Sequence, residues 1–244
     1  QRFILESMPS GAAFLDYDAD GYQDLFLVDA TRVDSTRVDW AAPGATSRLF
    51  RNIPPVDWPG SGRAFDDVTD EMGLRQSGWG MGCAVADYDN DGDLDLYVSS
   101  WGPNTFYRND HPGAFTDVTT MTETGDGRWG ASTGFADLDA DGFVDLFVTN
   151  YLVFDLDSPP GGGEPCPGWK GLETYCGPMG MEPQANGLYR NEGDGSFADV
   201  SESTGIARLR RPSLGVLFTD FDDDGDVDIY VANDSEPNTL YRNN

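Results

Sequence analysis

Four short segments concentrate the chemistry of this chain. Each reads D-x-D-x-D-G-x-x-D, and they begin at Asp16, Asp87, Asp137 and Asp220. Carboxylates a few ångströms apart repel by up to about 4 kcal/mol per pair at an effective dielectric near 20, so something must offset the crowding. A loop that turns sharply at the glycine of position 6 can aim the alternate side chains at one centre, with the carbonyl of position 7 completing a cage. An all-oxygen cage with several carboxylates and no His or Cys suits a hard divalent cation. Calcium fits better than magnesium, which keeps its waters and demands a strict octahedron.

The expected ligands of the first loop are the side chains of Asp16, Asp18, Asp20 and Asp24 with the Tyr22 carbonyl. The second set is Asp87, Asp89, Asp91 and Asp95 with the carbonyl of Asp93. The third is Asp137, Asp139, Asp141 and Asp145 with Phe143, and the fourth is Asp220, Asp222, Asp224 and Asp228 with Asp226. The side chains of Asp93, Asp223 and Asp226 are expected to face solvent. An EF-hand is excluded, because it needs glutamate at position 12, where these loops carry Leu27, Val98, Val148 and Val231, and it needs flanking helices. An aspartate-rich turn without metal explains one such loop more easily than four in register.

The elements that position the loops repeat as well. "LFRN" (49–52), "FYRN" (106–109), "LYRN" (188–191) and "LYRN" (240–243) follow the loops, and "FDDV" (65–68), "FTDV" (115–118) and "FADV" (197–200) follow the first three of these. Each unit thus offers a strand before the loop, one after it, the "YRN" segment and the "F-x-D-V" segment. The strands after the loops are apolar on nearly both faces, as in a sheet covered on both sides. Short strands recurring with a unit of about fifty residues are the signature of propeller blades. The fold expected is all-β: a propeller of four-stranded blades forming one region, 1–244, with repeats at about 8–74, 75–124, 125–206 and 207–244. The last repeat lacks its "F-x-D-V" strand. Either the sequence simply stops mid-blade, or residues 1–7 complete it, or a neighbouring copy does so by strand addition, or the four repeats are part of a larger ring.

These segments resemble the FG-GAP (VCBS-type) repeats of integrin α-chain propellers. More narrowly, "GWGMGCAVADYDNDGDLDLYV", "LYRNEGDGSFADVS", "CPGWKGLETYCGP" followed by "NGLYRN", and "GVLFTDFDDDGDVDIYVANDSEPNTLYRN" are similar to the repeat region of the cartilage acidic protein family. The resemblance covers residues 8–244. It implies a secreted or surface-exposed calcium-binding propeller that acts in adhesion or matrix interactions rather than catalysis.

The formal net charge of −28 argues against nucleic acid and anionic membranes as partners, and no apolar run approaches the length of a membrane span. Nor does "QRFILESMPSG" read as a signal peptide. Cys166 and Cys176 bracket a Pro/Gly-rich insertion and are expected to form a disulfide, in keeping with an oxidising compartment, whereas Cys83 reads as a small core residue. Trp40, Trp58, Trp101 and Trp169 are placed for packing between blades more readily than for a sugar-binding face. Arg51, Arg108, Arg190 and Arg242 are expected to pair with carboxylates such as Asp67 or Asp117. Asn233 heads an N-x-S sequon that is equally a turn.

The chain is not expected to be an enzyme. His111 is the single histidine, and "GASTG" (130–134) leads into a strand, where a nucleophile elbow needs strand, turn and helix. The expected function is that of an extracellular, calcium-binding structural or adhesive propeller holding four ions, its partners a surface protein, a glycan or further copies of itself. The alternative is a carbohydrate-binding or polysaccharide-processing module.

Overall fold

The computed structural model describes residues 4–8, 10–30, 33–34, 37–38, 47–54, 62–74, 78–159, 166–167, 173–174 and 176–244. A 3-10 turn at Ile4–Ser7 precedes β1 (Ala12–Leu15), β2 (Asp24–Leu27), the two-residue β3 (Val33–Asp34) and β4 (Arg37–Val38), β5 (Arg48–Ile53) and β6 (Ala64–Asp67). Next come β7 (Trp79–Ala86), β8 (Asp95–Trp101), β9 (Thr105–Asn109), β10 (Phe115–Asp117) and the single turn α1 (Thr119–Thr122). The third unit comprises β11 (Gly130–Ala136), β12 (Asp145–Asn150), β13 (Cys166–Pro167), β14 (Glu173–Thr174), β15 (Gly187–Asn191), β16 (Phe197–Asp199) and α2 (Ser201–Thr204). The last unit is β17 (Ser213–Thr219), β18 (Asp228–Asn233) and β19 (Thr239–Tyr241).

The protein is all-β, as its repeats require. Three four-stranded antiparallel sheets, β1-β2-β5-β6, β7-β8-β9-β10 and β11-β12-β15-β16, are followed by a three-stranded sheet, β17-β18-β19. They are termed blades 1 to 4 below. In each, the acidic loop joins the first two strands, the "YRN" segment is the third, and "F-x-D-V" is the fourth where it exists. Short ribbons, β3-β4 and β13-β14, lie between the second and third strands of blades 1 and 3.

Period-two alternation places Leu96 and Val98 on one face of β8 and Tyr97 on the other, and all three are buried. Both faces are covered because the sheets pack on one another in chain order. One core joins Tyr17, Phe26, Leu49 and Val68 of blade 1 to Leu96, Val98, Tyr107 and Phe115 of blade 2. A second joins Tyr88, Tyr97, Phe106 and Val118 to Leu146, Val148, Tyr189 and Phe197. A third joins Phe147, Leu188 and Ile206 to Ile229 and Val231. The matching outer faces are open: Phe14, Leu27 and Phe65 on blade 1 and Phe221, Tyr230 and Leu240 on blade 4 are exposed.

The first strands approach each other more closely than side chains would allow. A Cβ on Gly82 would lie 3.0 Å from the Ala131 carbonyl oxygen and 3.2 Å from Ser132 Cα, so glycine permits the contact. Near this seam Ile4, Leu5, Trp79, Met81, Trp129, Tyr151, Leu152 and Phe154 form a further cluster. Here the structure corrects the expectation that residues 1–7 complete the last blade. The described part, 4–7, is a 3-10 turn whose Ile4 and Leu5 enter this aromatic cluster, and burial of two large side chains there outweighs the strand preference of "FIL". Trp101 packs edge-on against Trp79 and Phe154, at 6.4 and 5.9 Å between ring centroids, which is the packing role expected of it. Trp40, Trp58 and Trp169 lie outside the described residues.

Candidate metal centres

All four acidic loops share one backbone course. Position 4 is left-handed although it is never glycine, with φ of 53°, 59°, 58° and 58° at Ala19, Asn90, Ala140 and Asp223. Position 6 is left-handed too, at φ 86°, 98°, 95° and 97° for Gly21, Gly92, Gly142 and Gly225. Two such residues coil the loop inward.

The turn then anchors its own carboxylates. Asp16 accepts the amides of Asp20 and Gly21 at 3.0 and 2.9 Å. Asp87 accepts those of Asp91 and Gly92 at the same distances, and Asp137 and Asp220 repeat the arrangement. Position 5 accepts the amide of position 7: Asp20 from Tyr22, Asp91 from Asp93, Asp141 from Phe143 and Asp224 from Asp226. The predicted carbonyl donors Tyr22, Asp93, Phe143 and Asp226 directly follow the left-handed glycine. Asp223 and Asp226 are exposed, as expected, and Asp93 is half-buried.

Carboxylate oxygens converge in every loop. The groups lying within 4.8 Å of one another are Asp16, Asp18 and Asp24; Asp87, Asp89 and Asp95; Asp137, Asp139 and Asp141; and Asp220, Asp222 and Asp228. One Oδ1 atom each of Asp18 and Asp89 is buried with no hydrogen-bond partner. An anionic oxygen in that state is costly unless a cation meets it. The donor set therefore fits a hard divalent cation. Electrostatics agree: burial pushes the Asp95 carboxyl up to about 7 and that of Asp145 up to about 6, against the pull of two amides each. Burial likewise raises Asp24 and Asp89.

Position 9 has a second role that loop spacing does not reveal. Asp95 accepts the Tyr88 amide at 3.0 Å on one oxygen and the Asn109 amide at 2.9 Å on the other. Asp24, Asp145 and Asp228 bind the corresponding amides of Tyr17 and Asn52, Leu138 and Asn191, and Phe221 and Asn243. This carboxylate ties the loop to the third strand. The asparagine so held then reaches the preceding blade. Asn109 Nδ2 donates to the Tyr17 carbonyl at 2.8 Å, Asn191 to that of Tyr88 at 2.8 Å, and Asn243 to that of Leu138 at 2.6 Å. Asn52, in blade 1, donates to Gln23 of its own blade instead. The recurrence of Asn after Arg in all four "RN" pairs was the only sequence signal for this joint.

The arginines pair differently from expectation. Arg108 binds Asp110 at 2.7 Å and Arg190 binds Glu192 at 2.6 Å, each two residues along the chain, while Arg51 lies 3.9 Å from Asp66 and Asp67 pairs with Arg48. Arg242 has Asn244 at the +2 position and turns into the loop, contacting Asp222 at 2.6 Å and Asp224 at 3.3 Å. Asp67, Asp117 and Asp199 accept the amide two residues on, from Thr69, Thr119 and Ser201, and so cap the turn after each fourth strand. "GASTG" lies inside the single strand β11. Asn233 Nδ2 donates to the Pro237 carbonyl and Thr239 Oγ1. The Cys166–Cys176 pairing falls outside the described side chains, and Cys83 packs beside the first core, where burial pushes its thiol up to about 12.

Comparison with known proteins agrees with this geometry. The chain is 41% identical over 56 residues to cartilage acidic protein 1 of Xenopus tropicalis, covering 23% of this chain and 9% of that protein. The Homo sapiens protein is 41% identical and the Mus musculus protein 39% identical over 56 residues. The match thus spans under a tenth of each relative's length. A profile of the FG-GAP-like repeat matches residues 16–98, 87–148 and 175–231, taking in the four acidic loops and most of the chain. A loop of converging aspartates, repeated on consecutive antiparallel sheets, places this chain in the FG-GAP-like repeat family.

Proposed function

We propose that the chain is an extracellular, calcium-stabilised array of propeller blades with a structural or adhesive role. The observation that carries this reading is the fourfold convergence of carboxylates within 4.8 Å, with buried, unpartnered oxygens on Asp18 and Asp89. One calcium ion per loop offsets half the charge of the four liganding carboxylates and holds the first two strands of each blade in place. Four ions are bound in all, reducing the formal charge from −28 to about −20 by the two charges each carries. The similarity to cartilage acidic protein 1 and the proposed Cys166–Cys176 bridge support an extracellular setting.

The open faces of blades 1 and 4 carry the same apolar positions that make the interior cores. In this reading they meet a further blade of the same kind, or a protein or glycan partner. Elemental analysis together with calorimetric titration of chelator-stripped protein tests the proposal. About four calcium ions should bind, and at 100 times the dissociation constant each independent site should add about 2.7 kcal/mol to stability. Metal-free protein with an unfolding curve indifferent to EDTA would refute it.

A further inference from the structure

The acidic loops are wired to one another. Two of the joint asparagines, Asn109 and Asn191, are held at their backbone by a carboxylate of their own loop and reach with their side chain into the loop before. Asp95 Oδ1 accepts the Asn109 amide at 2.9 Å, and Asn109 Nδ2 donates to the Tyr17 carbonyl at 2.8 Å. Tyr17 lies between Asp16 and Asp18, and its own amide donates to Asp24 at 3.2 Å. Asp145, Asn191 and Tyr88 repeat this path from the third loop to the second, where Tyr88 lies between Asp87 and Asp89 and donates its amide to Asp95. Every residue along both paths, Asp95, Asn109 and Tyr17 as well as Asp145, Asn191 and Tyr88, is buried, so water competes little for these bonds.

The second and third loops carry another bridge. Asn90, at the left-handed position 4, donates its Nδ2 to the Gly142 carbonyl at 3.1 Å. The N–H of that same peptide group belongs to Phe143 and donates to Asp141 Oδ1 at 2.8 Å. One rigid peptide plane thus links Asn90, which is flanked by Asp89 and Asp91, to a carboxylate of the third cluster, Asp137, Asp139 and Asp141. The first and third loops have Ala19 and Ala140 at position 4, with no side-chain donor to offer, so this bridge belongs to the middle junction.

We propose, building on the calcium occupancy proposed above, that the bridges made by Asn90 and Asn191 couple the second and third calcium sites, so that an ion in one raises the affinity of the other. An ion that fixes a carboxylate also fixes the amide bonded to it. The asparagine then fixes a peptide group next to the ligands of the neighbouring loop. The second ion meets a cage whose ordering cost has been met in part. Charge alone predicts the opposite sign, since a bound ion makes the neighbouring loop less acidic and repels the next ion. Mutual strengthening therefore distinguishes the bridges from the electrostatic field. Its consequence is that the middle of the array orders over a narrow range of calcium rather than site by site.

The test follows the amides of Gly21, Gly92, Gly142 and Gly225, one in each loop, by heteronuclear NMR while calcium is added to the chelator-stripped chain. Asp139→Asn disables the third loop and should weaken the binding reported by Gly92 about fivefold or more. By charge alone that change would tighten it, because the emptied third loop carries a formal charge of about −3 against about −2 when filled. Reciprocity requires that Asp89→Asn weaken the response of Gly142 by the same factor. With Asn90→Ala and Asn191→Ala combined, both effects should fall below about twofold. Asn90→Ala alone should give an intermediate factor. It leaves the fold intact, because Asn90 is exposed and Ala19 and Ala140 hold the same left-handed turn in the sister loops. Calcium binding at all four glycines with Gly92 unmoved or tightened by Asp139→Asn, or with coupling undiminished by Asn90→Ala, would overturn the proposal and leave the calcium reading standing. No calcium shift at any of the four would overturn both.

Discussion

Replacing Asn191 with alanine measures what the joint between blades is worth. Asn191 is 2% exposed. Its Nδ2 donates to the carbonyls of Tyr88, in the preceding blade, at 2.8 Å and of Val144 at 3.2 Å, and its Oδ1 accepts the Gly193 amide at 3.0 Å. Truncation deprives two carbonyls in a dry interface of this donor. At about 1–3 kcal/mol for a buried group left unpaired, less where relaxation or water repairs the weaker bond, the expected cost is about 2–3 kcal/mol. The same change at Asn52 is the internal control. Asn52 follows the same motif, but its bonds to the Gln23 carbonyl and from Arg63 stay within blade 1, near solvent that can replace them. Asn52→Ala should cost about 0.5–1 kcal/mol. Equilibrium urea unfolding of both variants in saturating calcium gives the comparison. Equal costs at the two sites, or less than about 1 kcal/mol at Asn191, would show that the reach between blades contributes nothing of its own.

Three other outcomes are expected. Asp89→Asn should abolish one calcium site yet stabilise the metal-free protein by relieving repulsion, whereas Asp95→Asn should destabilise it with or without calcium by about 1–3 kcal/mol, because an amide nitrogen would face the Tyr88 or Asn109 N–H; titration and melting of both variants separate ligand from strut. In EDTA, Asp95 has its folded pKa raised to about 7. The folded state then holds more protons than the unfolded one, so stability should fall as pH rises from about 4 to about 7, by up to about 1.4 kcal/mol per unit for one carboxyl. In excess calcium the slope should reverse, since the ligands must be deprotonated; denaturant midpoints at pH 5 and 7 in the two buffers check the sign. Gly82→Ala should cost about 1–3 kcal/mol by overpacking, because its Cβ meets backbone of the next blade that cannot rotate away; thermal unfolding reads the loss.

Much of this architecture was readable in the sequence, because the turn of an acidic loop and the alternation of a strand are local demands. The D-x-D-x-D-G-x-x-D loops, the four-strand unit and the short fourth blade all follow from patterns within about fifty residues. What was illegible is contact across long separations. Asn109 and Tyr17 are 92 residues apart, and Asn191 and Tyr88 are 103; no local spacing links them. Asp95 was read as a ligand alone because its amide partners are set by sheet register, not by the loop. The turn at Ile4–Ser7 was expected as a strand, since "FIL" favours one, but Ile4 and Leu5 are buried instead in the cluster around Trp129 and Phe154. Arg108 and Arg190 went to acids two residues on, Arg51 lies near Asp66 across the sheet, and Arg242, with Asn244 at the +2 position, turned back upon the loop.

The asparagine joint carries a consequence for how such arrays come to exist. The second and third units each hold both halves of the fastening: an amide that reaches backward and a loop carbonyl that takes the amide of the next unit. A tandem copy of the coding unit therefore brings its own hook and eye, and the chain can lengthen by duplication without evolving a new contact. The same economy leaves the fastening without any instruction to stop, so this joint by itself sets no limit on the number of units.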